Sequence, residues 1–163
     1  MLKDNIPALA NLEVDIETMS KQDIRDLIHS IEEKALAPKA EEHQIDVPIK
    51  HHFSKDVYAR EMIVPKGSLI IGKIHKYANL NILSSGEVSI LSIDGVVRVK
   101  APFTIVASPG SKRLFFAHED SVWTTIHGTA EKDVDKIEDH FIAKNYDELP
   151  LPVGEVLISM KEN

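Results

Sequence analysis

The sequence predicts a mainly β protein: one small sandwich or barrel of short strands, with a helix before it and another after it. Three observations carry this. From about Ile45, short β-rich runs alternate with turn signals at close intervals. Before that point, apolar residues recur at helical spacing behind a good N-cap. After Gly128 the helical period returns.

Residues Met1 to about Met19 show no clear period and read as a partly ordered arm. Ser20 is a good N-cap, and Asp23 stands at the capping-box position. Ile24, Leu27, Ile28 and Ile31 then form one apolar face, with Lys21, Arg25, Asp26, Glu32 and Glu33 opposite. Ala37-Pro38 ends this helix, because a residue before proline avoids the helical region. Lys39 to Gln44 reads as a polar linker.

The expected strands are Tyr58–Val64, Ser68–His75, Leu80–Leu83, Glu87–Ile93, Val96–Lys100, Thr104–Ala107, Leu114–Ala117 and Val122–His127. Pro65-Lys66-Gly67, Ser84-Ser85-Gly86, Pro109-Gly110 and His118-Glu119-Asp120 separate them. Asp94-Gly95 is a two-residue hairpin signal. Thr129 is the expected cap of a second helix, whose apolar face is Val134, Ile137 and Phe141. The tail from Tyr146 to Asn163 holds Pro150 and Pro152 and an apolar run, Val156–Ser159. It reads as an extended segment against the barrel or a partner subunit. The organisation is therefore an arm and amphipathic helix over 1–44, a barrel over 45–128, and a helix and tail over 129–163.

At 163 residues, one domain with arms is expected. The absence of cysteine removes disulfides, thiolate ligands and cysteine nucleophiles, and fits a reducing compartment. Met1 to Asp15 lacks a basic start followed by an apolar run, and no stretch has bilayer-spanning length, so a cytoplasmic location and no membrane partner are expected. A net charge of −7 argues against general nucleic-acid binding, which needs a basic face. It leaves room for a local basic pocket.

One spacing stands out. Gly67 is followed by five residues, then Lys73, one residue, His75, three residues, Asn79, six residues and Gly86. Later, Arg113 lies three residues after Pro109-Gly110. This pattern resembles the two motifs of the cupin superfamily, with Lys73, Asn79 and Arg113 standing where that family places metal-binding histidine and glutamate. The strings Gly72-Lys73-Ile74-His75-Lys76, Leu80-Asn81-Ile82-Leu83-Ser84, Pro109-Gly110-Ser111-Lys112-Arg113 and Glu119 to His127 resemble those of small bacteriophage-encoded cupin-like proteins. The resemblance implies a cupin-type jelly-roll β-barrel, a homodimer or larger homo-oligomer and, for a phage protein, residence in the host cytoplasm.

In that barrel, alternation along strands turns Lys73 and His75 inward, with Asn79, Asn81 and Leu83 on the next strand and Arg113 and Phe115 on a later one. The polar members include two cations and no acid. This set argues against a divalent metal, whose imidazole or carboxylate ligands must converge, and no cofactor is expected. The fallback metal set joins His75 to His127, or to His52. The same set suits a small anionic or polar ligand: Arg113 offers a fork for carboxylate or phosphate, and the asparagines can read an amide or base edge. The competing reading pairs Lys73 and Arg113 with Glu61, Glu119 or Asp120 as structural salt bridges.

The remaining candidates read as structural. Trp123 is expected in the core or an interface. His127 is expected to hydrogen-bond nearby backbone. His51 and His52 are neighbours on a strand and face opposite ways, so both cannot serve one site. His29 and His140 read as helix-surface residues, and the first helix as a packing or oligomer element. No nucleophile triad, phosphate loop or carboxylate pair is present. The expected function is non-catalytic binding of an anionic metabolite or nucleotide, in a sequestering or host-modulating role. The alternatives are an enzyme, metal-free with His75 as base and Arg113 or Lys73 holding an anion, or metal-dependent, and a structural oligomer.

Overall fold

The computed structural model describes residues 16–37 and 45–150. The expected arm up to Asp15, the linker Lys39–Gln44 and the run Val156–Ser159 lie outside the described residues.

Helix α1 spans Lys21–Leu36. Ser20 caps it: its hydroxyl accepts from the Asp23 backbone N–H, and the Asp23 carboxylate accepts from the Ser20 N–H at 2.9 Å. The helix ends at Ala37, which is extended. Its stripe of Ile24, Ile28 and Ile31 is buried against Leu91 and Leu114, with Ile16 beside them. The helix therefore roofs the outer face of a sheet and is part of the barrel's packing.

Among the described residues eleven strands follow: β1 (Ile49–Ser54), β2 (Val57–Val64), β3 (Leu69–Ile71), β4 (Ile74–His75), β5 (Asn79–Ser85), β6 (Glu87–Ser92), β7 (Gly95–Lys100), β8 (Phe103–Ala107), β9 (Leu114–Ala117), β10 (Ser121–Gly128) and β11 (Ile142–Ala143). A five-stranded sheet runs β1-β2-β10-β5-β8 and a four-stranded sheet runs β3-β9-β6-β7, all antiparallel, while β4 pairs with β11. The mainly β jelly roll with two flanking helices agrees with the expected fold class. Inner faces meet in a core of Met62, Val64, Leu83, Val88, Ile90, Phe115 and Trp123. β6 is buried on both faces because the barrel covers one and α1 the other, so its sequence is apolar without strict alternation.

Several expectations are corrected. Ser68–His75 is two strands, because Gly72 leaves the ladder. Its N–H donates to the Arg113 carbonyl at 2.7 Å, and a Cβ there would stand 3.1 Å from that oxygen. β1 was missed, being an edge strand exposed along its length, as was the two-residue β11. The hairpin loop is Ile93-Asp94, closed by the Ser92–Gly95 pair, and Gly95 opens β7 with φ +106°. Asp133, not Thr129, caps helix α2 (Val134–Phe141), since its carboxylate accepts from Asp135 and Lys136 N–H groups. Thr129 instead accepts from Glu131 N–H in a preceding turn. Residues Tyr146–Glu148 form a single helical turn where an extended tail was expected. Among the described residues no helix is long and apolar enough to cross a membrane.

Candidate functional site

Strand register stacks the inward side chains of the five-stranded sheet in three tiers. The lowest crosses β1, β2, β10, β5 and β8 as Ile49, Met62, Trp123, Leu83 and Phe103. The middle tier is His51, Arg60, Thr125, Asn81 and Ile105. The upper tier brings Phe53, Tyr58 and His127 together. On the facing wall, Phe115 stacks on Trp123 with ring centroids 5.6 Å apart, and Arg113 and Ser111, which precede β9, line the cavity beside it. His75 joins the upper tier, its backbone N–H donating to the Ser111 carbonyl at 3.2 Å and its ring 5.4 Å from that of His127.

These walls enclose a cavity of about 430 Å³, within the usual range for small-ligand sites. Helix α2 covers its upper end with Ile137, Glu138 and Phe141. It is held there by the β4–β11 pairing and by Lys76, whose N–H donates to the Phe141 carbonyl and whose ammonium donates to that of Asp139. The floor (Met62, Phe115, Trp123) is buried, whereas His51, Lys73 and Glu138 are exposed, so the cavity opens between β1 and α2.

Each expected site residue has a definite place. Arg113 and Phe115 line the cavity, with His75 and Asn81. Asn81 is fixed by its neighbours: its amide donates to the Asn79 side chain at 2.7 Å and its carbonyl accepts from Thr125 at 2.8 Å. Asn79 is buried behind it and is not part of the cavity wall. Lys73 also lines the cavity, at its rim, where it is largely exposed and in an ion pair with Glu138 of α2. None of the three acids proposed as its partner is near it. Glu61 meets Lys50 and His52, Glu119 meets Lys100, and Asp120 accepts from the Lys66 N–H. His52 points away from the cavity, while His51 faces it and hydrogen-bonds the Tyr58 hydroxyl at 2.7 Å. His127 is also corrected, because its buried Nδ1 has no partner among the described residues, backbone included. The Nδ1 of His75 is in the same state. Trp123 is core, as expected, and forms the cavity floor too.

The electrostatics follow from this packing. Burial, then the neighbouring His127, Arg113 and Arg60, hold His75 down to about 4. Burial, then His140, hold His127 down to about 4. Both rings are therefore neutral at pH 7. Burial pushes Arg113 below its ordinary value, opposed by the Asp94 carboxylate. Arg60 has only the Met62 sulfur, 3.1 Å from Nη1, and neither guanidinium has a carboxylate within 4 Å among the described residues. Among the described residues the one acid lining the cavity is Glu138, which pairs with Lys73.

The two histidines set a pH dependence. An unfolded histidine takes its proton near pH 6.5, whereas these take theirs only near 4, so the unfolded state binds more protons between those values. Stability is thus complete above about pH 6.5 and falls toward pH 4, by up to about 1.4 kcal/mol per pH unit for each ring. The depressed carboxylates Asp23, Glu87 and Glu131 add a loss in the same direction at the acid end of this range and below. Urea unfolding from pH 7 to 4.5 checks this, and His127→Gln should flatten the slope. An unchanged slope would show that His127 is solvated.

Sequence reasoning gave Arg60 and Tyr58 no part in the site and did not place the expected second helix over the cavity. The signal for Arg60 was present: Tyr58, Arg60, Met62 and Val64 share one strand face, and an arginine amid buried residues is a polar group aimed inward.

A divalent metal does not fit this donor set. Among the described residues no three His, Asp or Glu side chains converge, and two guanidinium groups share the space with His75.

No family model and no curated protein matches the chain. Several solved structures are similar in fold. KdgF from Halomonas sp. is 14% identical with a TM-score of 0.47, over 56% of this chain and 87% of that one. A cupin superfamily protein from Desulfitobacterium hafniense is 11% identical at 0.46, over 53% and 80%. An RmlC-like cupin family protein with a double-stranded β-helix fold, from Methanocaldococcus jannaschii, is 12% identical at 0.44, over 52% and 82%. The two-sheet topology defines a cupin-type jelly roll, and none of these neighbours lends it an activity.

Proposed function

We propose that the chain is a non-catalytic binder of a small anion held in the barrel cavity. One observation carries this reading: Arg60 and Arg113 face a common cavity with no carboxylate in ion-pair contact among the described residues, in a chain whose net charge is −7. A fold does not leave two guanidinium groups partly desolvated for its own stability, because burying an unpaired charge is costly. A carboxylate or phosphate supplies the missing charge and matches the guanidinium fork. Neutral imidazoles and the Asn81–Thr125 pair add hydrogen-bonding groups without opposing charge. A sequestering or host-modulating role, phage origin, a cytoplasmic setting and self-association complete the reading and rest on the resemblance of the sequence strings and on composition.

The test is calorimetric titration of the full chain and of Arg113→Ala with inorganic phosphate, benzoate and phenyl phosphate. Removing one partner of a charge-assisted pair is expected to weaken binding by about 30-fold or more. Identical affinities in the two proteins would remove Arg113 from the site. Stoichiometric iron, zinc or manganese in the purified protein would instead favour a metal enzyme using His75 and His127.

A further inference from the structure

We infer that β1 is an interaction surface: this edge of the five-stranded sheet pairs, antiparallel and about a two-fold axis, with β1 of a second copy of the chain. The inference gives the self-association of the proposed reading a definite place, and it does not depend on the anion site.

β1 has a ladder on one side only. It is the outermost strand of its sheet, and its register with β2 runs unbroken from Ile49↔Met62 to Ser54↔Val57. The Ile63 N–H donates to the Pro48 carbonyl at 3.0 Å, which sets the alternation. The backbone groups of Lys50, His52 and Ser54 therefore face β2, and those of Ile49, His51 and Phe53 face away. Among the described residues these outward N–H and carbonyl groups have no partner. Edge strands are normally protected by a bulge, a proline within the strand, an inward charge or a covering element. β1 has no bulge and no proline, and it is exposed along its whole length. Lys50, its one lysine, points to the outer face and meets Glu61 of β2 at 3.7 Å.

The chemistry of this edge selects a second copy. Centred on His51, the pairing matches Ile49 with Phe53 of the partner subunit and Phe53 with the partner's Ile49, so every free backbone group meets a free one. Each such pair exchanges two hydrogen bonds, which makes about six across the contact. Ile49 and Phe53 are 40% and 41% exposed on the same face, and each gains an apolar mate. A pairing centred on Lys50 would set two ammonium groups opposite each other, and one centred on His52 would leave Ile49 beyond the partner strand. β1 carries no acid, so the net charge of −7 is not concentrated at the contact. Ile49 and His51 also line the cavity, so the same pairing sets Phe53 of the partner subunit beside a residue of the cavity wall.

Two measurements on the full chain test this. Sedimentation velocity from about 10 to about 500 μM should show monomer passing to dimer, with a dissociation constant of about 10 μM, as fits a contact one strand wide. Amide exchange followed by NMR over the same range should slow about fivefold at Ile49, His51 and Phe53, while Lys50, His52 and Ser54, bonded to β2, change little. Phe53→Lys and His51→Pro should each weaken dimerisation about tenfold or more. The proline removes an N–H that β2 does not use, so the monomer keeps its ladder. A chain that stays monomeric across the range removes self-association altogether. A dimer that both variants leave intact puts the contact on another face and overturns the pairing of β1. Slow exchange at the three amides that does not change on dilution assigns the edge to another segment of the same chain, which also overturns it. The wild-type series is decisive even if a variant does not fold.

Discussion

Gly86→Ala is expected to lose about 4 kcal/mol or more of stability, enough to leave much of the chain unfolded at room temperature. Two costs add. Gly86 has φ +86°, where a side chain costs roughly 1–2 kcal/mol. Its Cβ would also fall 2.2 Å from the Ser121 hydroxyl, 2.5 Å from the Asp120 carbonyl and 2.8 Å from the Ser121 Cα. Two of those atoms are backbone, so no rotamer change relieves them. The turn between β5 and β6 must then move away from β10, which forms the centre of the five-stranded sheet. Gly95→Ala is the control: φ is +106° but nothing lies within 4 Å, so only the backbone cost applies. Urea unfolding of both variants separates the two contributions. Equal losses would show that the β5–β6 turn has room.

The double variant Arg60→Met, Arg113→Met is expected to move stability and binding in opposite directions. Methionine keeps most of the volume and removes the charge. The ligand-free protein loses two cations that have no ion-paired carboxylate among the described residues and should gain about 1–2 kcal/mol, as when buried charges give way to apolar side chains. Its affinity for benzoate or phosphate should fall by about 100-fold or more. If the two guanidinium groups instead serve to hold the barrel together, the double variant will be less stable than the wild type. Thermal unfolding with and without 10 mM phosphate, about the concentration expected to shift a weak site measurably, reads both effects at once.

Much of this molecule could be read from residue patterns. The capping box at Ser20 and Asp23 places the start of α1, because the signal is local and acts on the adjacent backbone. β9 is Leu114–Ala117 in both readings, and most other strand ends shift by one or two residues. The inward set was read less completely. Alternation turned His75, Asn81, Arg113 and Phe115 toward the cavity, but Lys73 lies past the break at Gly72 and swings to the rim, where Glu138 meets it. Glu138 is 65 residues away in sequence, and no spacing rule relates it to Lys73. β1 was hidden for a different reason: an exposed edge strand has no buried face, so Ile49–Ser54 lacks the pattern by which strands are recognised.

By itself the sequence determined the fold class, the order of most elements and the inward side of some strands, because these follow from local periodicity and turn chemistry. Only the tertiary structure decided which of the inward groups have partners. Among the described residues it leaves Arg60 and Arg113 without an ion-paired carboxylate and the Nδ1 atoms of His75 and His127 without a hydrogen bond, and it gives Lys73 to Glu138. The physical reason is that satisfaction of a charge or a hydrogen bond depends on atoms a few ångströms away, and in a sheet built from distant strands those atoms come from anywhere in the chain.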